Sequence, residues 1–155
     1  MIQTKKDDVK NRIEEAALIV FAIPSGLIAT KIGRKPTILI GLAGMTVGLI
    51  VGFLVRNQTA LLMLLAMMGA FWALVNINSL PMVYDLGGEE RIGGLTGLYY
   101  FASSAAAITE PILAGSLIDL TGKNYAILWL FSAVFIAIAA GLMLRVRSKK
   151  PATPA

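Results

Sequence analysis

The run PTILIGLAGMTVGLIVGFLV, residues 36–55, holds twenty consecutive positions without a charge and is closed by Lys35 on one side and Arg56 on the other. About 20 residues of helix cross the hydrocarbon core of a bilayer, and a crossing segment must be helical because lipid offers no partner for free backbone groups. Four further uncharged or nearly uncharged runs surround it: Ala16 to Thr30, Asn57 to Tyr84, Ile92 to Thr109 continuing past Glu110 to Ile118, and Asn124 to Leu144. The expected fold is all-α and integral to the membrane, with about five transmembrane helices. The first run reaches crossing length only with Ile13, Glu14 and Glu15 at the interface, so a shallow helix is the alternative there. The third is longer than a crossing needs and carries Asn76, Asn78, Ser79 and Pro81 near its end, which predicts a tilted or kinked helix.

Composition agrees. Of 155 residues, 57% are hydrophobic and 15% charged, whereas soluble domains average about 45–50% and about 25%. The mean hydropathy is +0.76. Cysteine and histidine are both absent, which removes disulfides, thiol nucleophiles, iron-sulfur ligation, the usual zinc sites and serine-histidine triads. No metal and no cofactor is expected. A net charge of +5 would suit nucleic acid only if the bases shared one face of a soluble fold. Here they punctuate apolar runs, so the partner they imply is a lipid bilayer and not nucleic acid.

The placement of those bases orients the chain. Lys31, Arg34 and Lys35 follow the first run, Arg91 the third, and Arg145, Arg147, Lys149 and Lys150 the fifth, while Arg56 and Lys123 alone lie opposite. The basic side is expected to be cytoplasmic, with the C-terminus inside a cell (plasma) membrane. Five crossings then put the N-terminus outside, where Lys5, Lys6, Lys10 and Arg12 are balanced by Asp7, Asp8, Glu14 and Glu15. That mixture is unlike the positive start of a signal peptide, and no cleavage pattern follows it. The expected organisation is a charged tail over 1–15, a five-span membrane domain over 16–147 and a cytoplasmic tail over 148–155.

The turn between the first two runs reads Gly26-Leu-Ile-Ala-Thr30-Lys31-Ile-Gly33-Arg34-Lys35-Pro36. By residue chemistry alone, Gly26 lets helices approach, Gly33 permits the turn, and Lys31, Arg34 and Lys35 stay with the headgroups as a topology anchor. The stretch resembles the loop signature of the major facilitator superfamily, Gly-x-x-x-Asp-Arg/Lys-x-Gly-Arg-Lys/Arg. Gly26, Lys31, Gly33, Arg34 and Lys35 match, and Thr30 stands where the family's first-half copy has an aspartate of a gating ion pair. That departure puts the ion pair in doubt here and, being usual in second-half copies, implies the C-terminal half, helices eight to twelve. The resemblance covers roughly residues 13–150 and implies a partial C-terminal half of a major facilitator fold. Asn78-Ser79-Leu80-Pro81 and the stretch from Gly94 to Phe101 look like sugar-carrier branches of the sucrose and glycoside-pentoside type.

A path for solute needs polar groups that face a cavity. In the third run Trp72, Asn76 and Ser79 share one helical face, joining an indole to hydrogen-bonding groups suited to a polyhydroxylated solute. In the family the tenth helix, which this run would be, lines the cavity. The competing reading is packing by Trp72 and helix bridging by Asn76 and Ser79. Asn78 falls off that face and reads as structural. In the fourth run Tyr99, Ser103, Ala106 and Glu110 form one stripe, with Thr96 beside it. Glu110 is the one ionisable residue well inside an apolar run and a candidate for exchanging a proton during transport. Against that, it falls in the outer half, within reach of headgroup water, and Pro111 beside it predicts a kink.

Gly44, Gly48 and Gly52 make a ridge of small residues whose contact is either internal or between chains. Trp129 and Phe131 on a fifth run without buried charge read as a peripheral, lipid-facing helix. Superfamily carriers are built from two six-helix halves around a central site. The chain is therefore expected to be the C-terminal part of a secondary transporter for a small solute, a sugar among the candidates, partnered by the missing N-terminal half or another membrane protein and not competent for transport alone. The alternative is a standalone small membrane protein that self-associates through the glycine ridge or modulates another. An intramembrane enzyme is not expected, because Glu110 has no second ionisable group at comparable depth.

Overall fold

The computed structural model describes residues 24–87 and 89–146. Helix α1 is described over 24–32, and α2 follows at Arg34–Leu54, α3 at Gln58–Gly87, α4 at Ile92–Leu120 and α5 at Ile127–Arg145. A single 3-10 turn, Glu89–Arg91, joins α3 to α4. Among the described residues four helices, α2 to α5, are long and apolar enough to cross a membrane. Most of the first expected span and both charged tails lie outside the described residues.

Local chemistry sets the boundaries. Gly33 separates α1 from α2 at φ 93°, a left-handed-side conformation open to glycine. Its N–H closes α1 on the Ala29 carbonyl at 2.9 Å and its carbonyl opens α2 by accepting from Thr37 N–H at 3.3 Å. Pro36 sits in the first turn of α2, where its missing N–H breaks no helical bond. Asn57 caps α3, its Oδ1 accepting from Ala60 N–H at 3.1 Å. The fifth helix begins at Ile127 and not at Asn124, because Asn124 Oδ1 accepts from Ala126 N–H at 3.1 Å and holds a turn there. Before that turn Gly122 and Lys123 both adopt positive φ, 67° and 64°.

Neither proline ends its helix. Helix α3 runs unbroken through Pro81, and α4 through Pro111. Each proline removes one donor, to the carbonyls of Ile77 and Ala107, and the remaining ladder carries the helix across. At 30 residues, α3 extends about 45 Å, well beyond a hydrocarbon core of about 30 Å.

Helix α2 is the centre of the bundle and packs against both α3 and α5. Its apolar face supplies Ile38 and Leu42, which meet Met82 and Val75 of α3 and Ile136, Ala139, Ala140 and Met143 of α5. The glycine ridge is what brings these helices close, and its contact is internal. A Cβ at Gly44 would fall 2.5 Å from the Phe71 ring, one at Gly48 2.9 Å from Met68 Cγ, and one at Gly52 on the indole of Trp129. Gly41 extends the face: a Cβ there would stand 2.8 Å from the Phe71 carbonyl oxygen. The ridge is thus filled by α3 and α5, and Trp129 is a packing residue on α5. Among the described residues helix α4 leans on α3 and, more lightly, on α5 and the 3-10 turn, and buries none of its residues.

Gly41→Ala pushes against backbone and is expected to destabilise the fold by about 1–3 kcal/mol, the usual range for overpacking. Gly69→Ala on α3, where nothing lies within 4 Å, is expected to cost no stability and to add up to about 1 kcal/mol through the better helix propensity of alanine. Unfolding in detergent followed by tryptophan fluorescence compares the two.

Candidate functional site

The polar residues of α3 and α4 fall at matching depths. Both helices are measured from the turn between them, α3 ending at Gly87 and α4 starting at Ile92. Ser79 and Tyr99 lie at about 11 Å along their helices, Asn76 and Ser103 at about 17 Å, and Trp72 and Ala106 at about 22 Å. Asn76 and Ser103 are exposed, as is Trp72 at 51%. Ser79 and Tyr99 are half-buried. The hydroxyls bond within their own helices: Ser79 Oγ donates to the Val75 carbonyl at 2.6 Å, Ser103 Oγ to Tyr99 at 2.9 Å and Thr96 Oγ1 to Ile92 at 2.7 Å. Each oxygen keeps lone pairs for an incoming donor. Tyr99 stacks edge-on with Tyr100 at 5.4 Å between ring centroids. Glu110 lies farther along α4, about 27 Å from its start, exposed.

Asn78 sits off this face, as its position implies, and is 4% exposed. Its Nδ2 donates to Ser25 Oγ of α1 at 2.9 Å and to the Leu74 carbonyl at 2.9 Å. Ser25 Oγ in turn donates to the Ala73 carbonyl at 3.4 Å. This buried bridge holds α1 on α3, because among apolar side chains each polar group would otherwise be unpaired. Ser25 escapes a reading of the sequence, being one hydroxyl in an apolar run.

The loop motif divides its work. Lys31 is exposed and Thr30 Oγ1 donates back to the Leu27 carbonyl at 2.8 Å, so Thr30 closes a helical turn where the family's first-half copy has its gating aspartate. Gly26 does not mediate a close approach among the described residues, since nothing lies within 4 Å of its would-be Cβ. Arg34 and Lys35 are also more than headgroup anchors. Arg34 Nε pairs with Asp85 Oδ2 at the end of α3, 3.1 Å away. Lys35 Nζ donates to the carbonyls of Leu144 and Val146, at 2.9 and 2.7 Å. Asp85, unmarked in the sequence because it follows an apolar run as a loop acid would, is the counter-charge that a helix beginning with two cations requires.

Helices of crossing length and apolar composition define a multi-pass membrane protein. Residues 15–155 match the family model of the Major Facilitator Superfamily, and the chain belongs to that superfamily. It is 31% identical over 126 residues to an uncharacterized transporter of this type from Methanocaldococcus jannaschii, covering 80% of this chain and 30% of the relative. The transporter ppzB of Metarhizium majus is 31% identical over 137 residues, 88% of this chain and 29% of that protein. Its counterpart in Metarhizium rileyi is 27% identical over 136 residues, with 88% and 28% covered. The chain thus matches under a third of the length of these relatives. No solved structure matches it.

The Arg34 and Asp85 side chains are 39% and 52% exposed, so their coupling is expected to be at most about 1 kcal/mol. A double-mutant cycle with Arg34→Gln and Asp85→Asn, read from unfolding in detergent, measures it; full additivity would show that the pair contributes nothing.

Proposed function

We propose that the chain is the C-terminal part of a secondary active transporter that moves a small solute, a sugar among the candidates, by alternating access. The observation that carries this reading is the uncovered polar surface of α3 and α4. Trp72, Asn76, Ser79, Tyr99 and Ser103 lie at matching depths on helices otherwise suited to lipid, and polar atoms in hydrocarbon are unfavourable without partners. The polar surface would face the translocation path, closed on its other side by the N-terminal half. An indole beside amide and hydroxyl groups offers stacking and hydrogen bonds to a polyhydroxylated solute. Superfamily membership supports the transporter role, and the charge asymmetry of the loops supports a cytoplasmic C-terminus in the cell membrane.

Glu110 is the proposed site of proton exchange in a symport cycle. A carboxylate within a membrane helix is unfavourable facing lipid, by about 3 kcal/mol on insertion scales, which favours a place beside water or protein. A self-associating small membrane protein is disfavoured, because the glycine ridge that would have served as its contact is occupied by Phe71, Met68 and Trp129.

The test joins the chain to the remainder of the carrier in proteoliposomes and measures uptake of a panel of mono- and disaccharides under an imposed pH gradient. Glu110→Gln is expected to abolish gradient-driven uptake while insertion is preserved; undiminished uptake would remove the proton role. Trp72→Ala is expected to weaken apparent affinity by about three- to tenfold, as the loss of one stacking contact does, with expression unchanged. Unchanged affinity with reduced expression would make Trp72 a packing residue.

A further inference from the structure

Helix α2 begins with two cations, Arg34 and Lys35, and no acid accompanies them in its first turn. A helix N-terminus carries partial positive charge, so this placement is unfavourable for α2 taken alone. Helix α5 presents the complementary problem. Its C-cap, Val146, is extended at φ −72° and ψ 128°, so no left-handed glycine folds the chain back over the last carbonyls. The Val146 N–H reaches the Met143 carbonyl at 3.2 Å, and the carbonyls beyond it need donors from elsewhere.

We propose that Lys35 is the cap of α5: a positioning residue whose ammonium, bonded to the Leu144 and Val146 carbonyls, fixes where α5 ends and where the basic segment after it departs. An ammonium has three donors and no acceptor, which suits two carbonyl oxygens at the negative end of a helix dipole. Arg34, one residue earlier, holds Asp85 of α3. Adjacent residues of one turn therefore grip two different helices, and the ends of α2, α3 and α5 become a single unit. Helix α4 has no part in this grip, so it can shift against the other three without breaking either contact. The proposal concerns the fold of this chain and stands independently of whether it carries solute.

The experiment uses the whole chain in lipid nanodiscs and needs no variant in its first arm. Brief acylation of lysines, read by mass spectrometry, is expected to modify Lys35 at least about tenfold more slowly than the exposed Lys31, since both bonds must open before the amine reacts. The second arm follows deuterium exchange over residues 140–146. Lys35→Met is expected to speed exchange about tenfold, Lys31→Met to leave it unchanged, and Lys35→Arg to recover most of the protection. Lys31→Met removes the same charge from the same turn, so equal acceleration in both methionine variants would assign the effect to loop charge and overturn the proposal. Equal acylation of Lys31 and Lys35, or unchanged exchange in Lys35→Met, would overturn it as well.

Discussion

Everything in this bundle depends on how closely α2 can be approached. Lipid tails are as apolar as leucine, so helices in a membrane gain little from hydrophobic burial against one another and associate through close packing and hydrogen bonds. Glycines 41, 44, 48 and 52 supply the first of these by removing side chains where Phe71, Met68 and Trp129 come in. Two neighbours, α3 and α5, thereby pack on one central helix. Ile38 and Leu42 complete the contact with Met82 as a small buried apolar cluster, and among the described residues the side chains shut off almost entirely from the surface are small, Ser25 and Thr37.

Polar contacts then finish what packing begins, and they gather at one end. Ser25 and Asn78 bridge α1 to α3, Arg34 reaches Asp85, and Lys35 reaches the end of α5. The motif around Gly33 thus combines a backbone requirement with charge placement: a turn that only a positive φ allows, followed at once by cations with partners on two other helices. The same turn is also the most basic of the short loops, so cations of the kind that set orientation in a bilayer double here as interhelical ties.

The helices and their order are legible in the sequence because uncharged length is a direct signal of a crossing. Their partners are less so. Periodicity identifies the face of α2 that carries the glycines, but not whether that face meets the same chain or another. Pro81 and Pro111 each remove a helical donor, and neither ends its helix. Asp85 and the carbonyls of Leu144 and Val146 are invisible in the sequence for one reason: their partners are far off along the chain, and backbone acceptors look alike at every residue. Gly26 matches the motif by identity, and among the described residues nothing lies within 4 Å of its would-be Cβ, so identity alone does not assign it a contact. The polar stripes of α3 and α4 follow from 3.6-residue spacing, and their uncovered state does not.

Helix α4 buries no residue, and this shapes how the protein can change. Substitutions in a packed core are held back by cavities and overpacking, but from Phe101 to Leu113 there is no core for a new side chain to disturb. The close contacts that the α2 glycines make with α3 and α5 involve no side chain of α4, so a substitution between Phe101 and Leu113 leaves those contacts in place.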